Sequence, residues 1–527
     1  MNPTKLITDY LVVGAGAASM AFVDTILAEQ PNATVSIVDK HNAPGGHWND
    51  AYGFVRLHQP TLLYGVASKQ MEGTWLKLCL RGVLPWQHRA SKEEILAHYK
   101  LLMDQWVASG RVKYYPHCTY QFDQTEGNIH SFVENATKTT RSIEVRKKLV
   151  NGVLGECRVP SQTPPQFHVD KGVPIVTPNQ IFDDHLANKK NRSGRKHKNK
   201  VDSDKRYVVL GCGKTALDTV VFLQQKMKVS ARNIAWVAPN DIWMLRRSGP
   251  GSPWSWGDAL LKCNGDPDKA GMMLEEQEVF ARLTHAVKPT RFRFPVIGDE
   301  ELEIAQKVKD MIRRGRVTAI EKLPNGSCKV SFTESEEPMI FGDNYTFVHC
   351  TSPGPFNDNH IRDVFPSENT INLLFLYAPP VPISMSSIAS LESRLQNGTL
   401  DMDFARRLLM ENKDGAQSSD DTDVLNAILG SYGISIFPED KLEMAKHHME
   451  PIKTLAVFLS ILDKDPLVGH KWLKQNRLSF FSIPGFKGEV CENLHRMIEA
   501  KDNFRFSDEE VDKLKLLAEK LQPLQGM

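Results

Sequence analysis

Tyr10-Leu-Val-Val-Gly-Ala-Gly-Ala-Ala-Ser19 decides the fold of this chain. Four apolar residues read as a short buried strand, and the glycines behind them read as the turn of a dinucleotide-binding βαβ unit. Gly14 permits the tight turn out of the strand, Gly16 lets the backbone approach a pyrophosphate, and small Ser19 lets the helix lie close to the sheet. In such a unit the pyrophosphate rests on the helix N-terminus, where amide N–H groups have no partner within the helix. Ala17 to Leu27 reads as that helix and Val35 to Val38 as the next buried strand, ending at Asp39. A carboxylate at this point accepts hydrogen bonds from the hydroxyls of an adenosine ribose.

The same grammar returns later in the chain. Strand-like Arg206-Tyr-Val-Val-Leu210 runs into Gly211-Cys-Gly213-Lys-Thr-Ala216, a helix follows from Lys214 to Lys226, and a strand from Asn233 to Val237. Ala216 is an accepted small residue at the third fingerprint position. Gly213-Lys-Thr215 imitates the end of a phosphate-binding loop of nucleotide hydrolases, but the glycine required five residues earlier is Val208, which argues against hydrolysis. The second strand ends at Val237-Ala-Pro-Asn240 without an acid to repel a 2'-phosphate, and Arg246 and Arg247 lie a little beyond. That pattern favours NADPH over NADH, with Arg246 as the candidate contact.

Around these units, Ser91-Lys-Glu-Glu94 is a capping box followed by helical apolar spacing, Val112 to Tyr115 reads as a strand, and residues 119 to 150 alternate as a β-meander. Thr346 to Val348 and Leu373 to Tyr377 read as strands, and the chain beyond about 400 is mostly helical, with a second capping box at Ser507-Asp-Glu-Glu510. The expected class is α/β, with two Rossmann-like dinucleotide-binding domains and a mostly helical C-terminal region.

Composition narrows the function. The 527 residues leave room for about three domains, and 41% apolar with 24% charged residues is ordinary for a soluble globular protein. Lys189 to Arg206 holds nine Lys or Arg against two Asp, yet the net charge is only +2, so nothing outside that run suggests a nucleic-acid surface. The run itself reads as a solvated surface loop. Eight scattered cysteines form no CxxC, which excludes a zinc knuckle and the disulfide reductases and fits a reducing, cytoplasmic setting. Met1 to Asp9 has no signal-peptide core, and the apolar run Leu455 to Leu462 is too short to span a bilayer. His447-His448 has no third ligand at metal-like spacing, so no metal site is expected. Trp254 and Trp256 read as aromatic packing of an insertion.

Two fingerprints in one chain resemble the class B flavin monooxygenases, which include Baeyer-Villiger monooxygenases and carry a nicotinamide domain inserted into an FAD domain. Pro44-Gly-Gly46-His47-Trp48 is similar to the double glycine and tryptophan that wrap the flavin in those families. Tyr52, Arg56, Thr61 and Tyr64 continue the register of the Baeyer-Villiger enzymes, and His349-Cys-Thr351-Ser-Pro-Gly354 looks like the late FAD-contacting turn. Two departures stand beside the match: His58 occupies the place of an active-site aspartate, and the FxGxxxHxxx(W/Y/F) motif does not fit Phe167-His-Val-Asp170 and Gly172.

The resemblance implies an FAD part at 1–165 and 346–395, a nicotinamide domain at 166–345 and a helical region at 396–527. It implies FAD at the first fingerprint and NADPH at the second. The implied reaction is monooxygenation of a small organic substrate by O2 through a flavin C4a-(hydro)peroxide, with Arg56 stabilising anionic flavin and His58 donating or transferring a proton. The missing motif keeps a flavin-dependent reductase, dehydrogenase or oxidase open, and a non-catalytic nucleotide-binding sensor or scaffold is the remaining alternative.

Overall fold

A computed structural model of the chain describes residues 6–71, 88–155, 158–193, 205–249, 255–292, 295–352, 363–376, 381–403 and 486–521, with scattered residues between 425 and 460. Trp254, Gly354, Tyr377, the histidine pair and residues 194–204 of the basic run lie outside the described residues.

The first sheet is built on β1 (Leu6–Val13), whose residues from Thr8 onward are buried on both faces, as expected of a central parallel strand. Its order is β3 (Val112–Tyr115), β2 (Val35–Val38), β1, β6 (Thr140–Asn151), β5 (Ile129–Glu134), β4 (Cys118–Glu126), and β19 (Thr370–Asn372) also pairs with β6. β1, β2, β3 and β6 are parallel, with β1 paired to β6 from Ile143 to Asn151, and β4 to β6 form the antiparallel meander. Helix α1 (Ala17–Glu29) follows the first glycine turn, and α2 (Lys92–Ala108) starts at the Ser91 capping box.

The segment read as a strand at 373–377 is different. β19 ends at Asn372, and Leu373, Leu374 and Leu376 are apolar because they are buried beside α8 (Val381–Gln396), where Leu376 N donates to Ser384 Oγ at 3.2 Å. α8 lies on α1, joined by Thr25 Oγ1 to Ser386 Oγ at 3.2 Å. Buried Glu392 on α8 accepts the Tyr10 hydroxyl at 3.0 Å and lies 3.5 Å from Lys148 Nζ, so the helix is bonded through to the sheet.

The second sheet is entirely parallel, in the order β14 (Asp310–Ile312), β10 (Ile234–Val237), β9 (Arg206–Leu210), β18 (Tyr345–His349), β8 (Ile175–Val176). Helix α4 (Lys214–Gln225) packs on it, with α3 (Pro178–Ser193) and α7 (Asp299–Gln306) nearby. Two expectations change here. The boundary at 345/346 moves to beyond His349, because Phe347 and Val348 are buried within the second sheet between β8 and β9. The start of the basic run is helical, since α3 extends to Ser193.

A four-stranded sheet of β7 (His168–Val169) and β15 to β17 (Val317–Lys322, Cys328–Phe332, Ser335–Phe341) covers one face of the second sheet. A small sheet of β11 to β13 (Met244–Arg246, Phe280–Ala281, Val296–Ile297) carries Arg246. Helices α5 and α6 (Ser255–Lys262, Pro267–Glu276) border it, and the C-terminal helices α9 to α11 (Phe486–Glu499, Lys501–Phe504, Asp508–Leu521) join the core of the first half.

Candidate dinucleotide-binding sites

Both fingerprints divide the labour of their small residues in the same way. Gly14 and Gly211 have φ of +91° and +116°, values that side chains rarely adopt, and a Cβ there would press on Val153 and Thr351, respectively. Gly16 and Gly213 sit at the helix N-caps with ordinary φ of −78° and −77°. A Cβ on Gly16 would meet only Gly46 Cα, at 3.7 Å, and one on Gly213 would meet nothing within 4 Å. Protein packing therefore does not demand either glycine; the open space beside each suits a ligand that touches backbone. Ser19 and Ala216 are fully buried, where the helices lie against their sheets.

Asp39 stands at the end of β2, buried. Its Oδ2 accepts from Ala15 N inside the glycine turn, and its Oδ1 accepts from His41 N at 2.6 Å. The His41 ring bridges Asp39 and Asp50, with Nδ1 3.0 Å from Asp39 Oδ1 and Nε2 2.8 Å from Asp50 Oδ2. The hydrogen bond with Asp39 raises the His41 pKa, burial opposes it, and Asp50 adds to the rise. The sequence reading missed this brace; a histidine two residues after the acid was its only signal.

The Gly46–Trp48 turn sits directly on the first fingerprint. Gly45 N donates to Ala15 O at 2.8 Å, and a Cβ on Gly46 would lie 2.8 Å from Gly16 Cα. The His47 and Trp48 rings lie 5.2 Å apart, and Trp48 Nε1 donates to the Tyr64 hydroxyl at 2.8 Å. The structure thus brings Gly14, Gly16, Asp39, Gly46, Trp48 and Tyr64 into one place.

The loop that follows crosses to the second half. The Tyr52 hydroxyl donates to Asp218 Oδ2 at 2.9 Å, and Asp218 Oδ1 accepts from Lys214 Nζ, one turn earlier on α4. Phe54 stacks on Phe222 of the same helix, with ring centroids 4.1 Å apart. Arg247 Nε donates to His58 O at 3.2 Å and Arg247 Nη2 to Glu301 Oε2 at 3.2 Å, while Arg89 Nη1 reaches Glu301 Oε1 at 2.9 Å. Loss of water, and then the Lys214 charge, pushes the His58 pKa down to about 4. Burial alone would raise the Glu301 pKa, but Lys214, Arg89, the Gly298 amide and Arg247 together hold it down at about 2.

Arg56 is placed differently from its neighbours. Its side chain is exposed, and Nη1 donates to Arg89 O at 3.1 Å. Leu57 between the two is buried, so alternation along the extended segment turns Arg56 outward. Thr61 is buried and accepts from Ala90 N at 2.8 Å.

The positions of two further candidate residues follow from the sheets that carry them. Thr351, expected at the first cofactor, lies beside the Gly211 turn, because β18 belongs to the second sheet and delivers residues 350–352 to that turn. Its Oγ1 is 3.0 Å from His349 Nδ1, and His349 Nε2 is 2.9 Å from Thr163 O. Arg246 is on the small sheet, with Nη1 2.9 Å from Asp299 Oδ1. At the end of β14, unremarked in sequence, Arg313 forks onto buried Asp241 at 2.6 and 3.0 Å. Among the described residues, no cluster of three or more His, Cys, Asp or Glu is arranged to hold a metal, and no helix is long and apolar enough to cross a membrane.

No protein-family model matches the chain. An uncharacterized protein of Mycobacterium tuberculosis is 32% identical over 337 residues, 61% of this chain and 57% of that one, so the chain spans little more than half the length of this curated relative. Among solved structures, the polycyclic ketone monooxygenase of the fungus Thermothelomyces thermophila is 13% identical, covering 99% of this chain and 89% of its own at a TM-score of 0.47. A flavin-containing monooxygenase of Stenotrophomonas maltophilia is 12% identical, covering 75% of this chain and 99% of its own at a TM-score of 0.41. The chain is an α/β protein with two parallel-sheet dinucleotide-binding folds, each opened by a glycine turn between strand and helix.

Proposed function

We propose that this chain is an NADPH-dependent FAD monooxygenase that places one oxygen atom of O2 in a small organic substrate and releases the other as water. FAD is assigned to Gly14, Gly16, Ser19, Asp39 and the Gly46-His47-Trp48 turn, and the nicotinamide dinucleotide to Gly211, Gly213 and Ala216 beside Thr351. The observation that carries this reading is the open space at both middle glycines, each at a helix N-terminus next to a buried small residue. A flavin held by the first set would supply the redox chemistry toward O2, with its reducing equivalents drawn from a nicotinamide dinucleotide held by the second.

The chain's own residues bind, orient and tune. Asp39 is positioned for the adenosine ribose of the first dinucleotide. Tyr52, Phe54 and the Arg247–Glu301–Arg89 chain hold the two halves against each other, which limits water at the seam. With a pKa near 4, His58 is neutral at pH 7, so it acts there as a hydrogen-bonding imidazole and not as a cationic acid.

One observation favours a second reading, a flavin-dependent NAD(P)H reductase or oxidase: the guanidinium of Arg56, assigned by resemblance to the reacting flavin, faces solvent. Gly16→Ala and Gly213→Ala test the assignment, because neither added methyl clashes with the protein. The first variant should be folded but colourless. The second should be yellow but not bleached by NADPH. Flavin loss in the Gly213 variant alone reverses the two sites, and wild-type protein that holds no flavin overturns the reading. NADPH-driven oxygen uptake with no oxygenated product from any substrate tried would favour the second reading.

A further inference from the structure

The two halves end their second strands alike, and this supplies an internal ruler. In the first sheet the last pair of β2 and β3 is Val38↔Tyr115, and Asp39 N donates to Tyr115 O at 3.1 Å. In the second sheet the last pair of β10 and β14 is Val237↔Ile312, and Ala238 N donates to Ile312 O at 3.0 Å. Ala238 is therefore the counterpart of Asp39, the position that faces the adenosine ribose in a unit of this kind. A buried methyl replaces the carboxylate, so the second site has no acid there to claim a 2'-hydroxyl or repel a 2'-phosphate.

The neighbouring strand supplies the opposite charge. Where β3 continues into Pro116-His117, β14 continues into Arg313-Arg314-Gly315-Arg316. Gly315, at φ +79°, turns the chain just beyond the two arginines. Arg313 is committed to Asp241, the acid of the loop that follows β10, with both of its contacts within 3.0 Å. It neutralises that carboxylate. Arg314 is part-exposed and gives Nη1 to Glu337 O at 2.9 Å, a bond that leaves its charge unmatched by that carbonyl. Arg246 sits on a different sheet, with Asp299 as its partner.

We propose that the second site reads the 2'-phosphate of NADP through Arg314 at the end of β14, with Arg313 cancelling Asp241, and not through Arg246. This rests on reading the Gly211 fingerprint as the nicotinamide site. A guanidinium suits the task because it presents several fixed N–H donors to phosphate oxygens and stays charged at any working pH.

The test uses the full chain as purified and measures dissociation constants for NADPH, NADH and 2',5'-ADP by calorimetry. Wild type should prefer NADPH. Arg314→Gln should weaken NADPH and 2',5'-ADP by about tenfold or more, the scale of one lost charge-assisted contact, while NADH changes less than about twofold. Arg314→Lys should recover part of the loss, and an unchanged melting temperature shows that each variant is folded. Equal losses for NADPH and NADH, a larger NADPH loss in Arg246→Gln than in Arg314→Gln, or wild type that prefers NADH each overturns the proposal and leaves the site reading standing. Wild type that binds neither nucleotide overturns both.

Discussion

Acidification should weaken the seam between the two halves, and His58 sets how much. Its ordinary pKa of 6.5 falls to about 4 in the folded protein, so between those values the unfolded chain binds a proton that the folded chain excludes. Stability therefore decreases as pH falls from 6.5 toward 4, and the penalty is absent above 6.5. At pH 4.5 the interval covers two tenfold steps, at most about 2.7 kcal/mol at ~1.36 kcal/mol each, and about 1–2 kcal/mol once the part of the ring that water reaches is allowed for. Glu301 separates cleanly from this effect. Its pKa is held at about 2 against 4.5, so its contribution is present above 4.5 and disappears only as pH falls toward 2. The perturbation is His58→Gln, which removes the titrating group. At ~2.1 cal/mol/K of unfolding entropy per residue over 527 residues, each kcal/mol shifts the melting temperature by about 1 °C, so between pH 7.0 and 4.5 at constant ionic strength the wild-type melting temperature should fall by about 1–2 °C relative to that of the variant. Parallel curves over that range would refute the burial of a neutral His58 at the seam.

Tyr52→Phe should destabilise the protein by about 1–2 kcal/mol, because half-buried Asp218 loses the Tyr52 hydroxyl and keeps Lys214, and a double-mutant cycle with Asp218→Asn should return most of that energy as coupling. Lys148→Met should cost about 3–5 kcal/mol by denaturant melts, since it leaves fully buried Glu392 without its cation. Lys148→Met combined with Glu392→Leu should recover most of that loss; a double variant as unstable as the single one would show that the pair acts through packing.

Local grammar made much of this legible. The glycine turns, the strands before them, the helices after them and the capping boxes at Ser91 and Ser507 are encoded within a few residues, and the structure places each where the spacing does. The assignment of β18 to the first domain failed because an apolar strand of five residues carries no label for its sheet. Leu373 to Leu376 imitated a strand because burial beside a helix selects the same residues as burial in a sheet.

By itself, the sequence determined that two parallel-sheet dinucleotide folds exist and which glycines, small residues and acid form their turns, since these depend on backbone φ and on atoms within one βαβ unit. Only the tertiary structure decided what those turns meet. Gly46 lies on Gly16, Thr351 on Gly211, Tyr52 on Asp218 across 166 residues, and Ala238 on Ile312 at the end of β14. Each of these contacts joins segments whose separation along the chain carries no periodicity, so only packing of the sheets and helices brings them together.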